Sequence, residues 1–81
     1  MPRIVILSAP QATGKTRHAR QLAVALRCNM IVDDYDGTQR LYPGTLALTN
    51  ANPDDIDTPT GAEIIRAHDA ADIERIARGA A

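Results

Sequence analysis

Phenylalanine and tryptophan are absent from this chain, and Tyr35 and Tyr42 are its only aromatic residues. The core must therefore be aliphatic, built from Ile, Leu, Val and Ala. A single cysteine, Cys28, excludes an internal disulfide and leaves no second thiol for a paired metal site. It reads as an inert, semi-buried thiol at a helix end. Neither sign of charge is in excess. A formal net charge of -1 and a pI near 6.0 remove any global electrostatic reason to bind nucleic acid or an anionic membrane, so an anion site has to be local. No N-terminal segment joins a basic stretch to a long apolar one, and the chain reads as soluble and cytoplasmic. The most informative scarcity is of lysine. Lys and Arg together number 9, and Lys15 is the only lysine. A chain this biased to arginine uses the compact ammonium once, between Gly14 and Thr16, where the planar guanidinium is no substitute.

The 81 residues leave room for one domain, 1–81, which buries only about two thirds of the surface that its unfolded form exposes. Arg3 to Ser8 is a short β-branched run of the kind buried on both faces of a parallel sheet. From Thr16 to Arg27 the period changes: Ala19, Leu22, Ala23 and Leu26 fall on one helical stripe. Met30–Val32 is a second strand, ended by Asp33 and Asp34, and Tyr35-Asp36-Gly37 is a turn. A third strand, Thr45–Thr49, follows Pro43-Gly44. Residues 50–61, rich in Asn, Asp, Pro and Thr, form a loop. Ala62–Ala67 is a fourth strand, and a last helix starts at the Asp69 cap, stops at Gly79 and turns Ala70, Ile73 and Ala77 inward. The expectation is an α/β fold, a small sheet of about four strands with two helices. Residues 35–44 barely supply a parallel crossover, so the sheet is parallel or mixed, the mixed form placing Thr49-Asn50 away from the first loop.

Between the first strand and the first helix lies Ala9-Pro10-Gln11-Ala12-Thr13-Gly14-Lys15-Thr16. A phosphate-binding loop needs backbone amides pointing inward, a glycine that allows close approach, and a lysine for the terminal phosphates. These residues resemble the Walker A motif of the P-loop NTPases, in which Ala is the less common residue at the first position. The resemblance implies that residues Ala9 to Arg17 hold a nucleoside triphosphate, with Lys15 on the β- and γ-phosphates and the Thr16 hydroxyl on magnesium. The run Met30-Ile31-Val32-Asp33-Asp34 resembles the Walker B pattern of the same superfamily, which implies metal-orienting and water-polarising roles for Asp33 and Asp34. Because the two alternate along a strand, one of them is expected to see the nucleotide. Alternatively, Asp34-Tyr35-Asp36 is similar to the Asp-x-Asp segment of small-molecule P-loop kinases, where a carboxylate is the base. Leu46 to Asp57, with Thr49-Asn50 and Pro53-Asp54, resembles the sensor segment of AAA+ ATPases and implies that Asn50 orients the attacking water. Residues 33–49 lack room for the helix that this family places there, and no helical lid follows.

The expected function is binding of a nucleoside triphosphate with magnesium, ATP rather than GTP because the Asn-Lys-x-Asp guanine signature is absent, with slow hydrolysis. No residue stands out as an arginine in cis for neutralising transition-state charge; Arg40, Arg66 or an arginine from a neighbouring molecule is the candidate. A different reading is a non-enzymatic interaction protein that keeps the fold; a third is a small-molecule kinase. Arg17, Arg20 and Arg27 form a solvated helical face, His18 and His68 are surface residues, and Tyr35 and Tyr42 cover a small core. Exposed sheet edges and a small alanine-rich core favour a homo-oligomer or a protein partner.

Overall fold

Val5, Ile6 and Leu7 are fully buried, as a β-branched run does when both faces of its sheet are covered. They form β1 (Val5–Ser8) in a computed structural model that describes residues 3–11 and 13–79. The chain continues through α1 (Ala19–Ala25), β2 (Met30–Val32), β3 (Thr45–Thr49), a single 3-10 turn at Pro53–Asp55, β4 (Glu63–Arg66) and α2 (Ala70–Ala77). The four strands make one sheet in the order β2-β3-β1-β4, and every pairing is parallel. No helix among the described residues is long and apolar enough to cross a membrane.

Alternation along the strands divides the core into two layers. Val5 and Leu7, in register with Leu46 and Leu48, face α1 and α2, where Leu22, Ala23, Leu26 and Ile73 complete a continuous aliphatic cluster. Ile6 and its register partner Ala47 face the other way, into a smaller cluster with Tyr35, Val32, Leu41, Ile56 and Ala62. Among the described residues that second face carries no α-helix. It is covered by the irregular segments 33–44, which joins β2 to β3, and 50–62, which joins β3 to β4.

The mixed alternative for the sheet is thus replaced by a wholly parallel one. The crossover of residues 33–44 needs no helix because β2 and β3 are adjacent, and Tyr35 and Leu41 give the irregular backbone apolar anchors on the sheet. The connection through α1 moves from β1 toward β2 on the helical face; the other two crossovers move the opposite way on the opposite face. All three therefore share one hand, as parallel connections do.

Two helix boundaries differ from expectation. Regular α1 starts at Ala19 rather than Thr16, preceded by turns and without a side-chain cap at His18. In α2 the Asp69 carboxylate accepts from the Asp72 amide at 2.9 Å, and the Asp72 carboxylate accepts from the His68 amide at 2.9 Å, so both ends of the first turn are tied. Ala70 is exposed, not inward. The apolar stripe of α2 instead begins one turn later, with Ile73, and continues through Ile76 and Ala77. Cys28 is a buried free thiol, and burial pushes its pKa up.

Candidate functional site

β1 and β3 are neighbours whose connections leave on opposite faces: the chain after β1 climbs to α1, and the chain after β3 descends into residues 50–62. In an open parallel sheet this divergence leaves a crevice outside the carboxyl ends of the two strands, the usual place for a ligand. The Ala9 amide donates to the Thr49 carbonyl at 3.0 Å and holds the two strand ends together beneath the crevice. The Ala9 side chain is itself buried in the helical-face cluster, so a methyl group at this position fills core rather than crevice.

The loop above is shaped by its own polar groups. The Thr13 hydroxyl donates to the Pro10 carbonyl at 2.8 Å. Gly14 has φ +91°, a left-handed conformation that a side chain would strain, and its carbonyl accepts from the His18 amide at 2.9 Å. Among the described residues no acceptor meets the amides of Gly14, Lys15, Thr16 or Arg17. Ala12 lies outside the described residues.

Lys15 is only 6% exposed although its charge would favour water. Its ammonium donates to the Pro10 carbonyl at 3.4 Å and to Asn50 Oδ1. Burial draws its pKa below the ordinary lysine value, and the carboxylates of Asp33 and Asp34 oppose that shift without cancelling it. The Thr16 hydroxyl lies 3.3 and 3.4 Å from the two carboxylate oxygens of Asp33. Asp33 Oδ1 also accepts from the Asp34 amide at 3.0 Å. Asp34 has φ +53°, in the left-handed region that glycine favours and that Asp adopts more readily than most other residues.

The sequence spacing sends Asp33 and Asp34 to opposite faces of a strand, but β2 stops at Val32. Beyond it the left-handed residue breaks the alternation. Asp33 meets Thr16, while Asp34 joins Gln11, Gly14, Lys15, Thr16, Arg17 and Asn50 around an open cleft of about 290 Å³. Asn50, which a mixed sheet would remove from the first loop, lines the cleft and meets Lys15 because β3 runs parallel to β1.

The remaining expected residues lie elsewhere. Pro10 is exposed beside the neighbouring cleft on the β4 side. Arg40 stands over the Tyr42 ring at 5.8 Å, and Arg66 pairs with Asp54 at 3.1 Å; neither lines the Lys15 cleft. Of the two tyrosines only Tyr35 covers core. It is 3% exposed and its hydroxyl donates to the Asp57 carbonyl at 3.1 Å, pinning one crossover to the other, whereas Tyr42 is 55% exposed. Arg17, Arg20 and Arg27 are exposed, and Asp36 uses its carboxylate on the amide and hydroxyl of Thr38. The features that sequence reading missed are the Pro10 carbonyl and the Lys15–Asn50 bond. The first is a local closure of the loop on its own backbone, and the second depends on strand order, which puts the end of β3 beside the loop.

Chemically, the cleft is a buried ammonium with a hydroxyl and two carboxylates beside it. No group of three or more His, Cys, Asp or Glu residues among the described residues is arranged to hold a metal. A cation here would have to share its ligands with whatever else is bound. No protein-family model matches this chain, and neither a curated protein nor a solved structure matches it.

Proposed function

We propose that the Lys15 cleft binds a nucleoside triphosphate as its magnesium complex, ATP in preference to GTP, and hydrolyses it slowly. The observation that carries this reading is the charge arrangement. Lys15 and Arg17 are offset by Asp33 and Asp34, so a free polyphosphate would meet as much repulsion as attraction. A polyphosphate carrying a divalent cation fits both halves: anion toward Lys15, cation toward the acids.

The donor set suits the metal. Thr16 supplies a hydroxyl and Asp33 a carboxylate within hydrogen-bond distance of each other, both hard oxygen ligands, and the phosphates complete the coordination as magnesium prefers. When bound, magnesium would neutralise charge on the phosphate oxygens and fix their orientation. Thr16 and Asp33 are the residues that would hold it, directly or through water. Lys15 binds the terminal phosphates; Asp34, on the cleft wall, accepts a hydrogen bond from a water that enters the cleft. Slow turnover follows from the arginines. Arg17, which lines the cleft, belongs to the binding loop, and the two candidates for the transferring group, Arg40 and Arg66, are engaged elsewhere. Without an arginine at the transferring group, phosphoanhydride hydrolysis is slower by roughly three to five orders of magnitude. A kinase is a weaker reading, because Tyr35 is committed to the core and Asp36 to Thr38.

The test is thermal unfolding with ATP, with and without magnesium. Magnesium with ATP at about a hundred times its Kd should stabilise the fold by roughly 2.7 kcal/mol. ATP with a chelator should do much less, and Lys15→Ala should abolish the shift. Equal shifts with and without magnesium, or none at millimolar ATP, contradict the proposal.

A further inference from the structure

We infer that Asn50 is a latch on Lys15: an intramolecular partner that occupies the ammonium in the ligand-free protein and must let go before an anion is bound, the second part resting on the function proposed above. A lysine ammonium has three protons to donate and no acceptor, so the carboxamide facing it must present its oxygen. Among the described residues two donations are made, to the Pro10 carbonyl and to Asn50 Oδ1. The result is a lysine 6% exposed on the wall of an otherwise open cleft.

The two partners differ in their freedom. The Pro10 carbonyl is backbone and also accepts from the Thr13 hydroxyl. Asn50 is an exposed side chain whose flanking backbone is fixed on both sides. The Thr49 carbonyl holds the Ala9 amide at 3.0 Å, and the Ala51 carbonyl accepts from the Ser8 hydroxyl at 2.8 Å. Release therefore needs only rotation of the Asn50 side chain. Space for it exists, because Asn50 also borders an adjoining cleft of about 260 Å³ lined by Asp34, Tyr35 and Ile56. With the carboxamide turned away, one ammonium proton and one side of the cleft become available together. Anion binding is then opposed by the hydrogen bond it must break, and Asn50 sets how strong a ligand has to be.

Because Lys15 is the only lysine, its acylation can be followed on the peptide that carries it, apart from that of the α-amine. The ligand-free wild type, Asn50→Ala and Asn50→Asp are treated with acetic anhydride, with a free lysine derivative in the same tube as reference, and Lys15 modification is read by mass spectrometry. Loss of one hydrogen bond to a charged group should raise the Lys15 rate in Asn50→Ala by about tenfold. Asn50→Asp, which adds a charge to the latch, should lower the rate below wild type. Titration of the same proteins with magnesium and inorganic triphosphate should show Asn50→Ala binding about tenfold more tightly than wild type and Asn50→Asp more weakly. An unchanged or slower rate in Asn50→Ala overturns the latch, as does weaker triphosphate binding by that variant. If acylation follows expectation but no protein binds triphosphate, the closed lysine stands, and both the competition and the proposed function fall.

Discussion

The two faces of the sheet solve the same problem differently. On the helical face, Leu22, Leu26 and Ile73 interlock with Val5, Leu7, Leu46 and Leu48 in an entirely aliphatic layer. On the other face, two irregular segments lie over Ile6 and Ala47, and the largest buried side chain, Tyr35, also hydrogen-bonds from one segment to the other. The first arrangement depends on volume, the second on a few anchors. Close-packed helices tolerate little displacement, whereas loops adjust around anchors. The candidate site lies where the two arrangements part company, with Lys15 from the chain that leads to helix and Asp33, Asp34 and Asn50 from the chain that leads to loop.

The largest expected difference between the faces is in the cost of a cavity. Leu22→Ala should destabilise by about 2–5 kcal/mol, a large part of the stability of so small a domain. Leu41→Ala, a half-buried leucine on the loop face, should cost well under that because the segment can settle into the space. Urea midpoints at constant slope would show it, and equal costs would break the comparison. Next comes Tyr35→Phe, which keeps the ring but removes the hydroxyl that joins the crossovers. It should cost about 1 kcal/mol, with amide exchange speeding up in residues 33–44 and 50–62 but not in the helices. Exchange that accelerates equally on both faces would show that Tyr35 supports the whole domain instead.

The smallest effect concerns Lys15. Its pKa is lower in the folded protein than the ordinary 10.5, mainly through burial, so folding carries a penalty for the charged form. That penalty is complete below the folded-state pKa and is relieved as pH rises from there toward 10.5. Lys15→Met should therefore be slightly more stable than wild type at neutral pH, and the gap should shrink as the pH approaches that of free lysine. A variant less stable at neutral pH would mean that the bonds to Pro10 and Asn50 outweigh desolvation. A stabilising substitution that removes ligand binding would mark Lys15 as kept for function at some expense of stability.

Much of the framework is legible in the sequence. Val5 to Ser8, Met30 to Val32 and Thr45 to Thr49 declare themselves as apolar runs, and Leu22 with its neighbours as a helical stripe, because buried strands and amphipathic helices impose periodicity. The cover of the second face was not legible. Tyr35, Leu41 and Ile56 are spread through polar loops with no period, and their burial follows from strand order. The neighbourhood of Lys15 divides in the same way. The loop residues around it are contiguous and could be read as a unit, and the acids at the end of β2 could be read as acids near a strand end. That Asp33 reaches Thr16 and that Asn50 caps the ammonium both depend on contacts between residues far apart in sequence. No local pattern encodes them.

The most direct measurement of the central claim is an amide spectrum of the protein titrated with magnesium and ATP. Shifts should be confined to residues 9–17, Asp33, Asp34 and the Thr49–Ala51 segment, and should disappear in Lys15→Ala. An unchanged spectrum at millimolar ATP, or shifts that centre on the loop face or on the exposed Arg20 and Arg27, would contradict it.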